Sequence, residues 1–410
     1  MFGRWLSRYA TGLRSLHSQN FRLFTIGNCI SLIGRWMQRV GVGWLAWTLT
    51  HSSFWLGLIA FADLFPTIFL SPLSGILADR YDRRRIMLFT QHAALIQALL
   101  LAVLTSTGLI NIEGLFVLTL GLGVADAINQ PARLSWLPSL VKAADLPSAV
   151  AVNSIVFNIA RFIGPAIAGI VIAGSGVVIT FVLNALSYAV FIATLLCIRL
   201  KSKPHGHKRS NIWHEMRAGY RYTARHPQIG PVFLMLILTA LGIRGIPELT
   251  PALAEMAFQR GAGGFAVLIT MIGLGALVAG LWITGRDLSK DLASLIIRHV
   301  LCLSLSVLYL AINHEFFIAL SLFFVIGFSL AVTGISAQTM VQMKVAEHMR
   351  GRVFALYGVV YRGGSAIGAL WMGTAASCYG VRWTMYAGAA LCFAAWYWAK
   401  RSIGPRHEAE

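Results

Sequence analysis

The chain has 410 residues, of which 57% are hydrophobic and 12% charged, and its mean hydropathy is +0.70. A water-soluble globular chain of this length is not expected to carry that balance, so the composition excludes a soluble domain and implies a polytopic membrane protein. The formal charge of +19 would point to nucleic acid in a soluble protein, but here the basic residues sort by loop, as membrane topology requires, which argues against a nucleic-acid partner.

Residues 1–20 place Phe2, Trp5, Tyr9, Leu13 and Leu16 at near-helical spacing, with Arg4, Arg8 and Arg14 between them. That pattern predicts a short cytoplasmic helix on a bilayer surface with anionic headgroups. No apolar core is followed by a cleavage site, so a removable signal peptide is not expected. Apolar runs then fall at 22–48, 54–78, 86–107, 114–132, 147–173, 177–198, 231–256, 263–285, 292–312, 315–341, 353–376 and 382–399. Each is near the ~20 residues that a spanning helix needs. The predicted fold is an all-α membrane protein of twelve spans, split six and six by a basic cytoplasmic linker at 199–230. The two bundles occupy 21–198 and 231–399, and 400–410 is a cytoplasmic tail. With the N-terminus inside, the basic loop residues gather on the inner face and Arg260 and Arg382 alone lie outside. The asymmetry predicts that both termini are cytoplasmic.

Within the linker, Trp213 to Tyr222 reads as a surface helix with aromatics at the headgroups and arginines toward anionic lipid. His205, His207, His214 and His226 match no metal-ligand spacing, and Cys29, Cys197, Cys302, Cys378 and Cys392 read as small packing residues without disulfide or metal spacing. The two halves echo each other at an offset of about 200 residues, as in a fold built from related bundles. Lys142-Ala-Ala-Asp145 recurs as Lys344-Val-Ala-Glu347, and Arg161-Phe-Ile-Gly-Pro-Ala166 faces Arg362-Gly-Gly-Ser-Ala366.

Between the second and third spans, Gly75-Ile-Leu-Ala-Asp79-Arg80-Tyr-Asp82-Arg83-Arg84-Arg85 packs six charges into a tight loop. Asp79 closes one helix and Arg83 to Arg85 open the next, so each faces the unfavourable end of its own helix and another partner must compensate it. The arginines also fit a positive-inside anchor. This Gly-x3-Asp-Arg-x2-Arg-Arg pattern resembles the signature loop of the major facilitator superfamily. The resemblance implies a conformational latch in which Gly75, Asp79, Arg80, Arg83 and Arg84 work with the start of the eleventh span at Arg350 and Arg352. Further stretches, Asn20-Phe-Arg22-Leu-Phe, Ile30-Ser-Leu-Ile-Gly34, Ser71-Pro-Leu-Ser-Gly75, Asn129-Gln-Pro-Ala-Arg133 and Arg350-Gly-Arg-Val353, look like the enterobactin-exporter and macrolide-efflux branch, of drug:proton antiporter type.

Charges inside the bilayer are costly and are normally kept for a pathway or a proton relay. Here they are Arg35, Arg39, Asp63, Asp126, Arg161, Arg244, Glu248 and Arg362. Asp126 either pairs with an arginine or binds a transported proton. Arg244 and Glu248, four apart, either satisfy each other or serve the pathway. The arginine excess predicts a slightly positive cavity for an anionic substrate. The expected substrate contacts are Arg35, Trp36, Gln38, Asn158, Arg161, Arg244, Tyr361 and Arg362, with Asp126, Glu248 and Asp63 for proton coupling. Trp36 and Tyr361 rank first among the aromatics because each adjoins an arginine on which it can stack. Gly164-Pro165-Ala-Ile-Ala-Gly169 permits close packing and a bend in the fifth span. It resembles the Gly-Pro-x-x-Gly element of the antiporter branches, although Ala160 and Ala168 stand where that element often has glycine. An arginine that many drug antiporters place in the fourth span has no counterpart here, so the resemblance assigns coupling to Asp126 or Glu248.

The expected function is export of an amphiphilic, anionic, siderophore-like molecule across the bacterial inner membrane by proton antiport and alternating access. It needs no cofactor beyond the proton gradient, and the family expectation is a monomer. The alternatives are a broad multidrug or macrolide efflux pump, a lysophospholipid or lipid translocator, and a non-transporting receptor. An intramembrane enzyme is not expected, because His92 and His299 lie singly in separate spans.

Overall fold

The computed structural model describes residues 14–198, 212–284, 292–346 and 349–407. Most of the N-terminal segment and the first part of the linker therefore lie outside the described residues. The first half contains α1 (Gln19–Thr50), α2 (Ser53–Arg80), α3 (Arg83–Ser106), α4 (Ile112–Trp136), α5 (Leu146–Ser175) and α6 (Val177–Cys197). The linker helix is α7 (Ile212–Arg225). The seventh span comprises α8 (Ile229–Gly242), α9 (Ile246–Ala252) and a π-helical turn, Leu253–Ala257. Then come α10 (Gly261–Thr284), α11 (Leu292–Ile312) and α12 (Phe316–Lys344). The eleventh span comprises α13 (Arg350–Gly358), a π-helical turn Val359–Gly363 and α14 (Gly364–Tyr379), and α15 (Val381–His407) is the twelfth.

Among the described residues, ten segments are each long and apolar enough to cross a bilayer. The 32-residue α1 and the 27-residue α15 complete twelve spans. Exposed apolar side chains such as Phe89, Ile170 and Phe317 are what a lipid-facing surface requires. The described residues thus form an all-α membrane protein.

The turns repeat between the halves. Gly176 (φ +82°) joins α5 to α6 in one step and Gly380 (φ +87°) joins α14 to α15 in the same way; both need the left-handed region that glycine enters freely. The first and seventh spans end on non-glycine residues in that region, His51 (φ 46°) and Gln259 (φ 52°). The backbone thus repeats at these turns, which are not the residues of the sequence echo.

The seventh span is not continuous, contrary to the single run expected at 231–256. Pro247 lacks the N–H that would bond to the carbonyl one turn back, and Gly245 offers little resistance to unwinding. The break at 243–245 is packed tightly: a Cβ on Gly245 would lie 2.9 Å from the Gly368 carbonyl, and one on Gly242 would lie 2.7 Å from that of Gly388.

By contacts the chain forms two compact units. One holds residues 1–42 and 69–208, and the other holds 43–68 and 209–410. The far halves of α1 and α2 thus belong to the unit built from the last six spans. In the first unit, α3 packs on α4 and α6. Phe21, Phe24, Met87, Trp136 and Phe191 form a core at its loop end, with Phe24 edge-on to Trp136 at 5.8 Å. In the second, α12 packs on α10 and α11, and α15 packs on α8 and α11.

Candidate functional site

In the first unit, α1 sends consecutive side chains to different neighbours, because adjacent helical residues point about 100° apart. Arg35 reaches α4, where Nε donates to Asp126 Oδ2 at 2.9 Å and Nη2 lies 2.8 Å from the same oxygen. Of the two readings of Asp126, this arrangement contains the ion pair. Trp36 turns instead to α5. The Arg39 guanidinium lies 5.5 Å and that of Arg161 5.8 Å from the indole centroid, and Phe157 meets the ring edge-on at 6.2 Å. Gly164 makes this possible, since a Cβ there would lie 2.5 Å from Trp36 Cβ and 2.9 Å from the Ile33 carbonyl. Phe157, Arg161 and Gly164 are spaced to share one face of α5. The Gly164-Pro165 element therefore lays that face directly on α1, with Gly169 a turn further on and also buried.

Gln38 does not line a substrate wall. It is fully buried, its amide N–H donates to Gln97 at 2.9 Å, and its carbonyl accepts from Asn184 at 2.7 Å. This ties α1 to α3 and α6 through buried polar groups, which fix a core where they are paired. Asn158 donates back to the Ser154 carbonyl of its own helix at 2.9 Å.

In the second unit, Arg244 sits in the break of the seventh span and Tyr361 in the π-helical turn of the eleventh. The Arg244 guanidinium stacks on the Tyr361 ring at 3.7 Å, and Nη1 donates to the Tyr361 carbonyl at 3.4 Å. Tyr361 stacks in turn on Tyr357 at 5.6 Å, whose hydroxyl donates to the Gly334 carbonyl of α12. Among the described residues, buried Arg244 Nε has no hydrogen-bond partner. Glu248 opens α9, its N–H bonded to the Gly245 carbonyl, and Arg362 adjoins Tyr361 in the π-turn. Asp63 is buried on α2. The guanidinium groups set against these rings include those of Arg39 and Arg161 at Trp36 and of Arg244 at Tyr361.

The two arrangements correspond. In the register that pairs His51 with Gln259, Trp36 pairs with Arg244; Arg161 aligns with Arg362 only through the separate sequence echo of Arg161-Phe-Ile-Gly-Pro-Ala166 with Arg362-Gly-Gly-Ser-Ala366, at a different offset. Each half therefore makes a cation–aromatic contact between its first and fifth spans, with the arginine and the ring exchanged. A sequence echo compares like with like and does not register such an exchange.

Around the charged loop, the side chains of Gly75, Asp79, Arg80 and Arg350 lie outside the described residues. Asp82 caps α3 by accepting from the backbone N–H groups of Arg84 and Arg85. Arg83 donates to the Ser135 carbonyl at the end of α4. Arg84 donates to the carbonyls of Leu195 and Leu196 at the end of α6, both at 2.8 Å. The arginines are unfavourably placed for their own helix but well placed for the C-terminal ends of two neighbours. Arg352 packs through its backbone on α7, where a Cβ on Gly219 would lie 3.1 Å from its carbonyl oxygen. Sequence reading also passed over Trp47 and Glu255, which touch each other at the far end of the second unit.

Residues 10–410 match a family model described as transmembrane secretion effector. The chain is 30% identical over 266 residues to the staphyloferrin A transporter of Staphylococcus aureus. That alignment covers 63% of this chain and 66% of the relative, just under two thirds of its length. It is 26% identical over 358 residues to the enterobactin exporter EntS of Salmonella typhimurium, covering 86% of this chain and 84% of that one. Among solved structures, a POT family transporter in complex with 5-aminolevulinic acid superposes with a TM-score of 0.74 at 11% identity, over 93% of this chain and 95% of the other. An inward-facing, occupied bacterial homologue of the human lysosomal transporter Spinster gives 0.71 at 13% identity, over 95% and 98%.

Proposed function

Because this chain belongs to the transmembrane secretion effector family of the major facilitator superfamily, and so is a multi-pass membrane transporter rather than an enzyme, we propose that it exports a siderophore-like molecule. The substrate is amphiphilic and anionic, and proton antiport drives it out across the bacterial inner membrane. The observation that carries this reading is the cation–aromatic contact repeated in both halves, Arg161 with Trp36 and Arg244 with Tyr361. A guanidinium set against a ring in a low-dielectric wall offers both charge and a flat apolar face. An amphiphilic anion needs both. The names of the staphyloferrin A transporter and the enterobactin exporter support the same substrate class. Transporters of this family need no cofactor.

Asp126, Glu248 and Asp63 are the proposed proton carriers. The Arg35–Asp126 pair links the two roles, because a proton on Asp126 would release Arg35 toward an anion. The charged loop with Arg350 and Arg352 is the proposed inner latch, both termini face the cytoplasm, and the protein works as a monomer. On α7, Gly219, Tyr222 and Thr223 face the protein, leaving Arg217, Tyr220, Arg221 and Arg225 outward for anionic headgroups. A second reading is broad multidrug efflux. It is favoured by the fact that the arginines Arg35, Arg161 and Arg244 already have partners inside the protein.

The test is reconstitution in liposomes that enclose a pH-sensitive dye, challenged separately with anionic chelators and cationic drugs. Proton movement with the chelators, cut about tenfold or more in Arg161→Gln and Arg244→Gln, is the expected result, the scale of one lost charge-assisted contact. Movement with cationic drugs that survives both substitutions makes the multidrug reading the correct one.

A further inference from the structure

The far end of α1 is fixed to the end of the seventh span. Trp47 is buried, 1% exposed, and its indole N–H donates to Glu255 Oε2 at 2.7 Å. Glu255 lies in the π-helical turn Leu253–Ala257, a widening that re-aims side chains and recurs at functional positions. His51 sits edge-on to the Trp47 ring at 5.3 Å. One turn before Trp47, Trp44 stacks on Phe265 of α10 at 6.3 Å. On α2, Gly57 lies against α14, where a Cβ would come within 2.9 Å of Gly373 Cα, and a Cβ on Gly373 would come within 2.7 Å of the Ser53 carbonyl.

Two observations set this contact apart from ordinary packing. First, α1 and α2 each divide between the compact units, at Val42/Gly43 and Ile68/Phe69. Any movement between the units must therefore bend these helices or release their far ends. Second, the register that pairs His51 with Gln259 pairs Trp47 with Glu255, so corresponding positions of the two halves touch each other.

We propose that the Trp47–Glu255 hydrogen bond is the latch of the transporter's outer gate. A hydrogen bond to a carboxylate is about twice as strong as a neutral one, and it is directional, so it is lost abruptly once the helix ends part. The seam beneath it, Gly57 on Gly373 and Ser53, is backbone against backbone. Glycine at these positions lets the two helices approach closely without large side chains between them there. A strong local bond over a smooth seam holds the end shut and still lets it open as a unit. The placement of this latch at the outer face rests on the proposed orientation with both termini inside.

The test uses the full-length protein in cells, with Asn158→Cys on α5, among the expected substrate contacts, as a reporter and the parent as background. Labelling by a membrane-impermeant maleimide added outside is followed over time. In Trp47→Phe, which keeps a ring and loses the N–H, labelling is expected to rise about tenfold, the factor set by one charge-assisted bond. Glu255→Gln keeps the packing and weakens the acceptor, so a smaller rise is expected, and the double variant should be no faster than Trp47→Phe alone. Unchanged labelling in both single variants, at normal abundance and with normal elution in detergent, overturns the latch. Faster labelling confined to inverted vesicles overturns it through the orientation on which it rests. No substrate is needed, so failure of the latch is separate from failure of the export assay.

Discussion

His226 shows how one residue's chemistry reaches a helix. Its Nδ1 accepts from the backbone N–H groups of Gln228 and Ile229 at 3.3 Å, holding the start of α8. A protonated imidazole has no acceptor to offer. Burial first, and the nearby Lys344 charge second, lower its pKa below the ordinary 6.5. The unfolded chain therefore takes up the proton before the folded one does, and stability falls as pH drops from 6.5 toward the folded value. Melting in detergent is expected to occur at lower temperature at pH 5.5 than at pH 7.5, with a smaller pH difference in His226→Asn, which keeps an acceptor that does not titrate. Gln38 carries a second prediction. Replacing it with Leu strands the Gln97 carbonyl and the Asn184 amide in the core, at a cost of about 2 kcal/mol or more. The melting temperature should fall clearly while residual transport keeps its substrate preference, because Gln38 holds helices together and does not touch the proposed substrate.

Among the elements, α5 and the broken seventh span do the positioning. Gly164 lets α5 lie against α1, and a single methyl there must push on Trp36 and on the Ile33 backbone. Gly164→Ala is expected to destabilise by about 1–3 kcal/mol. It should also reduce transport more than stability alone explains, because the same shift carries Arg161 away from Trp36. Comparing melting temperature with transport per folded molecule checks this. In the seventh span, Pro247→Ala restores a backbone N–H near the break. If the break holds Arg244 on Tyr361, this substitution should cost anion transport with little loss of fold, measured by the same pair of assays. The linker helix α7 is docked by one face and bare on the other. Adding phosphatidylglycerol to phosphatidylcholine liposomes is expected to raise transport, and the rise should shrink in a variant with Arg217, Arg221 and Arg225 all changed to Gln.

For the whole molecule, the division into units matters most. The first two helices begin and end in one unit and meet in the other, so they bind the far end of the first six spans to the last six. Topology reporters fused to either terminus are expected to place both inside. A reporter in the 313–315 turn between α11 and α12 is expected outside, which fixes the side on which Trp47 and Glu255 meet.

Length, hydropathy and charge sorting determined the twelve spans and their six-and-six grouping, because the bilayer demands about 20 apolar residues per crossing whatever the partners are. The motif at Gly75 to Arg85 was enough to place the chain in its superfamily. Trp36 and Tyr361 stood out because intramembrane arginines are rare, and both rings do carry guanidinium groups. Arg39 meets Trp36 from one turn along the same helix, whereas the approach of Arg161 to Trp36 and of Arg244 to Tyr361 comes from other spans and was decided only by tertiary structure. The same holds for Gln38, which the sequence presents as an intramembrane polar group and the fold closes into a buried network. The break at Arg244 had its signal in Gly242, Gly245 and Pro247, but its use depends on the π-turn it faces. Trp47 and Glu255 lie at the ends of apolar runs, where an indole and a carboxylate are ordinary. Only the packing of two distant helix ends makes them partners.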